Sequence, residues 1–103
     1  MDDREYLIIL YDYYGELLSE LQREYFEEYY FDNLSLSEIS ENDGKSRNAI
    51  HKCIRNSCSK LYEYEDKLKL YEKRKKIDIL IDKIDDNEIK KTLKELLWRD
   101  GYQ

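Results

Sequence analysis

The chain has 103 residues, 41% of them charged, and a net charge of −6. A chain of that length closes one modest core and leaves its outer faces heavily solvated. Proline and valine are absent and glycine occurs only at 15, 44 and 101, a composition that points to an all-α protein.

Residues 4–18 place Leu7, Ile8, Leu10, Tyr11, Tyr14, Leu17 and Leu18 at helical spacing, with Gly15 set to interrupt or end the helix. Ser19 is positioned to cap a second helix by taking a free first-turn amide on its oxygen. That helix presents Leu21, Tyr25, Phe26, Tyr29 and Tyr30 and is expected to end near Asp32-Asn33. The eleven tyrosines accompany an excess of Ile, Lys and Asn over Ala, Val and Pro. Such a bias fits an AT-rich coding sequence, so most of these rings are assigned to packing.

Ser35-Leu36-Ser37-Glu38 is a capping box. The short helix it opens should bury Leu36 and Ile39 and stop by Gly44, which tolerates the positive φ of a tight turn. Ser46 caps the next helix, whose inward face is Ala49, Ile50, Cys53, Ile54, Ser57 and Leu61. The pattern continues without a breaker through Leu68 and through Ser57, Tyr64 and Tyr71. It loses phase at Lys73-Arg74-Lys75-Lys76 and resumes with Ile77, Leu80, Ile81 and Ile84, which predicts a bend or a change of packing partner there. Asp85-Asp86-Asn87-Glu88 offers a further capping box for a last helix with Ile89, Leu93, Leu96, Leu97 and Trp98.

The expected organisation is a helical head over residues 1–60 and a helical tail over 61–103. The tail is a long helix with a returning helix, packed on the head or on a second protomer. Its two apolar phases need more cover than the head supplies, so homodimerisation through the tail is expected.

No apolar run approaches the length of a membrane span, and Met1-Asp2-Asp3 does not open a signal peptide. A cytoplasmic protein without membrane insertion is expected. Cys53 and Cys58 are turned ~140° from each other on one helix, which rules out a local disulfide. His51, the only histidine, projects nearly opposite to Cys53, so no metal site is expected, and no cofactor. With no glycine-rich phosphate loop and no nucleophile elbow, no catalytic residue is assigned.

Charge is polarised along the chain. Residues 1–43 hold 13 acids and 2 bases, whereas residues 44–76 hold 11 bases and 4 acids. The middle third attracts polyanions while the acidic body repels them. Within that third, the two helices meeting at Gly44 read as a helix-turn-helix, in which the second helix offers its first residues to base edges. The side chains left outside by its inward face are Arg47, Asn48, His51, Lys52 and Arg55. Arg47 pairs in principle with guanine and Asn48 with adenine. Lys52 and Arg55 suit phosphates, with Lys45 at the rim and the Ser46 hydroxyl at the helix start. Four such cations would give a log–log salt slope of about −3 to −4.

These segments also carry a family resemblance. Gln22-Arg23, Tyr29-Tyr30, Leu34 to Ile39, Ser46-Arg47 with Ala49-Ile50, Ile54-Arg55, and Leu61 followed by Tyr64-Glu65-Asp66-Lys67-Leu68 resemble the YlxM family of small bacterial proteins. Its head is similar to the promoter-reading fourth region of sigma factors. The resemblance spans about residues 5 to 75. It implies a role near the signal recognition particle, with DNA or the particle's RNA as ligand and the targeting GTPase as a further partner. The chain departs from the family's pattern at the turn. Asp43 and Lys45 replace flanking apolar residues, Ser40 stands where alanine is usual, and Lys52 where an acid is common. Since a bare buried charge costs several kcal/mol, the turn is expected either to rotate outward or to let both charges reach solvent along their stems. A second reading stays open: a protein-interaction adaptor that docks through the acidic, tyrosine-rich first third.

Overall fold

A computed structural model describes residues 3–97, so Trp98 lies outside the described residues. Every regular element among them is helical: α1 (Arg4–Tyr14), a 3-10 turn (Gly15–Leu17), α2 (Glu20–Tyr30), α3 (Leu36–Asp43), α4 (Arg47–Leu68), α5 (Leu70–Ile81) and α6 (Asn87–Leu97). The chain divides into two compact units between Leu68 and Lys69. The first therefore extends beyond the boundary expected at residue 60, because α4 runs unbroken to Leu68.

In the first unit, α1, α2 and α3 all pack on α4. Leu7, Leu10, Tyr14, Leu18, Tyr25, Phe26, Tyr30, Ile39, Ile50, Ile54, Cys58 and Leu61 are buried between them. Gly15 ends α1 as expected, and a reason appears in the packing: a Cβ there would lie 3.0 Å from the Tyr11 ring. Ser19 caps α2 with Gln22 closing the box, and Ser35 caps α3 with Glu38 doing the same. The α2 helix stops at Tyr30, two residues before the expected end. Arg4 holds that end, donating to the Tyr30 carbonyl and, at 2.6 Å, to Asn33 Oδ1. Asn33 itself adopts φ 58°, a conformation asparagine tolerates.

Among the described residues of this unit, two polar ones are buried. Ser57 satisfies its hydroxyl on the Cys53 carbonyl at 2.9 Å. Glu65, 8% exposed, accepts the Tyr14 hydroxyl at 2.5 Å across a separation of 51 residues. On the helical wheel Glu65 occupies the inward face that the continuing apolar pattern gave to Leu68, which is instead 46% exposed. Ala49 is likewise exposed. It sits about 100° from Ile50 around the helix, and its single carbon does not reach the core.

In the second unit, α5 and α6 are joined by residues 82–86. Of the bend or change of packing partner expected at Lys73–Lys76, no bend occurs there, since α5 is continuous; the helix breaks earlier, at Lys69, which takes φ 55°, and the second unit begins at that residue. No glycine or proline marks that break. The basic run leaves α5 intact because Arg74 belongs to its inner stripe of Tyr71, Arg74, Ile77 and Ile81. The Arg74 guanidinium donates to Asp78 at 3.0 Å and to the Leu97 carbonyl at 2.6 Å. A cation on the terminal carbonyl of α6 suits the helix dipole, and it ties the end of α6 beside the early turns of α5, so α6 does return along α5. Asp86 caps α6 by accepting from Glu88 and Ile89 amides. Leu80, expected inside, is 61% exposed, and Ile79, Ile89 and Leu96 are exposed as well.

Candidate nucleic-acid interface

The sequence sets α3 and α4 by two serine caps and a glycine between them. Gly44 has φ 72° and ends α3, its amide donating to the Ser40 carbonyl at 2.9 Å. Ser46 then opens α4, its Oγ accepting the Ala49 amide at 3.1 Å. Ile39 and Ile50 are fully buried, one from each helix, and lock the pair together.

Lys45, Ser46, Arg47, Asn48, His51, Lys52 and Arg55 are all exposed. The structure gathers part of this set. Ser46, Arg47, Asn48 and His51 line one concavity of about 480 Å3 with Leu36, from the first turn of α3. Lys52 and Arg55 lie outside that lining, one residue and one turn beyond His51 along α4. Leu36 was read from the sequence only as a buried residue of the short helix. Its half-buried side chain instead shows an apolar face to the mouth formed by the polar groups. A hydrophobic residue at the first position after a cap was the available signal, and periodicity alone does not separate the two uses.

From Arg47 to Tyr62, α4 carries Arg47, His51, Lys52, Arg55 and Lys60 and no acid. The acids cluster elsewhere: burial first, then the Glu24, Asp43 and Asp32 carboxylates, raise the pKa of Glu28 on α2. Asp43 thus stands where an acidic ridge meets a basic face.

The charged turn reaches solvent and is internally paired. Asp43 accepts the hydroxyl of Tyr25, a residue only 1% exposed. Lys45 Nζ lies 3.9 Å from the same carboxylate and 5.7 Å from the centroid of the Tyr25 ring. The Ser40 hydroxyl donates to the Lys45 carbonyl. Neither charge is buried bare, and the two departures at the turn form one connected group with Ser40. Cys53 is half-buried, with its pKa raised by burial, and Cys58 is buried with its Sγ 3.6 Å from the Tyr30 hydroxyl.

Two capped helices packed at a left-handed glycine, the second presenting a basic outer face, define a helix-turn-helix protein. The chain belongs to the UPF0122 family, whose model, described as a helix-turn-helix protein, YlxM / p13 like, matches residues 1–99. It is 46% identical to a UPF0122 protein of Ureaplasma urealyticum serovar 10 over 93 residues, covering 90% of this chain and 94% of that one. It is 48% identical to a Fusobacterium nucleatum UPF0122 protein over 68 residues, 66% of each chain. A Clostridium kluyveri UPF0122 protein is 46% identical over 78 residues, 76% of this chain and 70% of its own. No helix among the described residues is long and apolar enough to cross a membrane.

Proposed function

We propose that this protein is a non-catalytic, nucleic-acid-binding regulator or accessory factor that works in the cytoplasm, beside the signal recognition particle. The observation that carries the reading is the concavity where Ser46, Arg47, Asn48 and His51 meet Leu36, at the head of a helix face with no acid for four turns. Arg47 and Asn48 reach base edges, Leu36 and the exposed Ala49 methyl offer apolar contact to a thymine methyl or a base edge, and Lys52 and Arg55 hold phosphates, with Lys45 at the rim. On DNA this places the start of α4 in the major groove. On the particle's RNA, whose A-form major groove is too narrow for a helix, the same face would hold phosphates and loops.

Purified protein is expected to bind a promoter-type duplex or the particle's RNA in a salt-dependent way, and Arg47→Glu with Arg55→Glu to abolish binding. Equal binding by the double variant would overturn the reading.

The acidic ridge of Glu24, Glu28, Asp32 and Asp43 favours a second reading, an adaptor docking on a basic partner such as the targeting GTPase. Capture of that GTPase that survives both nuclease and the double variant would select it. In either case Ile79, Leu80, Ile89 and Leu96, exposed in the second unit, support a homodimer formed through the tail. A sedimenting monomer at tens of micromolar, an order-of-magnitude range for weak association, would rule that out.

A further inference from the structure

The recognition helix is joined to the head by a short turn, and that turn is anchored by a core side chain. Tyr25 sits in α2 with its ring buried and its hydroxyl donating to Asp43. Burial first, then the hydrogen bond to the Asp43 carboxylate, raise the pKa of Tyr25, so the phenol stays a donor at any ordinary pH. Lys45, across Gly44, closes on the same carboxylate at 3.9 Å and over the same ring. The Ser40 hydroxyl holds the Lys45 carbonyl, and the Ser40 carbonyl holds the Gly44 amide. Both sides of the turn are therefore fastened to α2 and to α3, while nothing lies within 4 Å of where a Gly44 Cβ would be. Contacts of this network, and not steric confinement of the glycine, fix the turn.

The lever is long. From Arg47 to Arg55 the helix rises about 12 Å, so a tilt of about 10° at the turn displaces the far side chain by about 2 Å. A binding constellation is held to about 0.5 Å, so such a tilt would draw Arg55 off its phosphate.

We infer that Tyr25, Asp43 and Lys45 form a positioning latch for α4, in which the Lys45 ammonium is engaged within the protein and is not one of the phosphate contacts. The inference rests on the nucleic-acid reading of α4 and refines it, moving Lys45 from rim contact to strut. Asp43 and Tyr25 act through α4 and touch no ligand themselves.

The test uses full-length protein and a labelled promoter-type duplex titrated at several salt concentrations, with amide exchange followed in parallel. Tyr25→Phe keeps the ring and removes the donor. It should weaken binding about tenfold, the worth of a hydrogen bond to a charged group, with the salt slope unchanged. Exchange at the Gly44 and Ala49 amides should quicken. Lys45→Gln should leave the slope intact, whereas Lys52→Gln should shallow it by about 0.9. A Lys45→Gln slope as shallow as that of Lys52→Gln would return Lys45 to the phosphates and overturn the strut. Unchanged exchange at Gly44 and Ala49 in Tyr25→Phe would overturn the latch. Should Tyr25→Phe fail to fold, Asp43→Asn reads the same contact from the exposed side. If the natural protein binds no duplex and no particle RNA, the proposed function falls, while the exchange measurement still decides the latch.

Discussion

Leu61 in α4 and Leu80 in α5 both lie on apolar helical repeats, yet Leu61 is fully buried and Leu80 is 61% exposed. The α4 helix receives three others around it, so a wide arc of its surface faces protein. Within the second unit α5 has one companion, and a single helix covers only a narrow stripe of its neighbour. That stripe runs through Tyr71, Arg74, Ile77 and Ile81. The same periodicity yields a core in one region and an open apolar edge in the other. The number of neighbours decides which, and the repeat by itself does not.

Truncating each leucine measures the difference directly. Leu61→Ala should cost about 2–5 kcal/mol in denaturant unfolding, while Leu80→Ala should stay within about 0.5 kcal/mol. A Leu80→Ala cost as large as that of Leu61→Ala would show that the tail's edge is covered in solution.

A smaller effect separates the two regions' polar ties. Tyr14→Phe withdraws a buried donor from the Glu65 carboxylate and should cost about 1.5–3 kcal/mol. Arg74→Ala in the second unit, where the guanidinium meets the α6 terminus, should cost about 1 kcal/mol by the same measurement.

Alkali sharpens the contrast further. Tyr11 stacks on Phe26 at 4.5 Å, and burial, followed by the Glu27 carboxylate, pushes its pKa up to about 12 from the ordinary 10.0. Between those values the unfolded chain releases the phenolic proton and the folded chain keeps it. The contribution is fully present below pH 10.0 and is lost as pH rises to about 12. Tyr11→Phe should flatten the fall in stability of the first unit across that window. An equally steep fall in Tyr11→Phe would assign the slope to other groups.

The smallest change is expected at the joint. Lys69 holds φ 55°, a conformation costing a non-glycine residue about 1–2 kcal/mol. Lys69→Gly should raise stability by up to about 1 kcal/mol after the added freedom of the unfolded chain is subtracted. A loss of stability would mean that the side chain, through its 3.8 Å pairing with Glu72, outweighs the strain.

Local signals in the sequence carried much of the fold. The caps at Ser19, Ser35 and Ser46, the glycine turn at Gly44, and the exposure of Arg47, Asn48, His51, Lys52 and Arg55 all follow from spacing and from side-chain chemistry within one helical turn. The candidate interface was legible to the same extent, as a face. Its concavity was not, because it needs Leu36 from another helix. The break at Lys69 left no trace either, since a lysine forced into a left-handed conformation carries no compositional mark.

By itself, then, the sequence determined that the chain is helical, where most helices begin, and which side of α4 is basic, because these depend on hydrogen bonds and periodicities a few residues long. Only the tertiary structure decided what the charges at the turn do. Asp43 and Lys45 looked like intruders at an apolar site while their partner, Tyr25, lay 18 residues away from Asp43. Packing α2 against α3 and α4 brings that hydroxyl to the carboxylate. A contact between side chains so distant along the chain exists only once the core has closed.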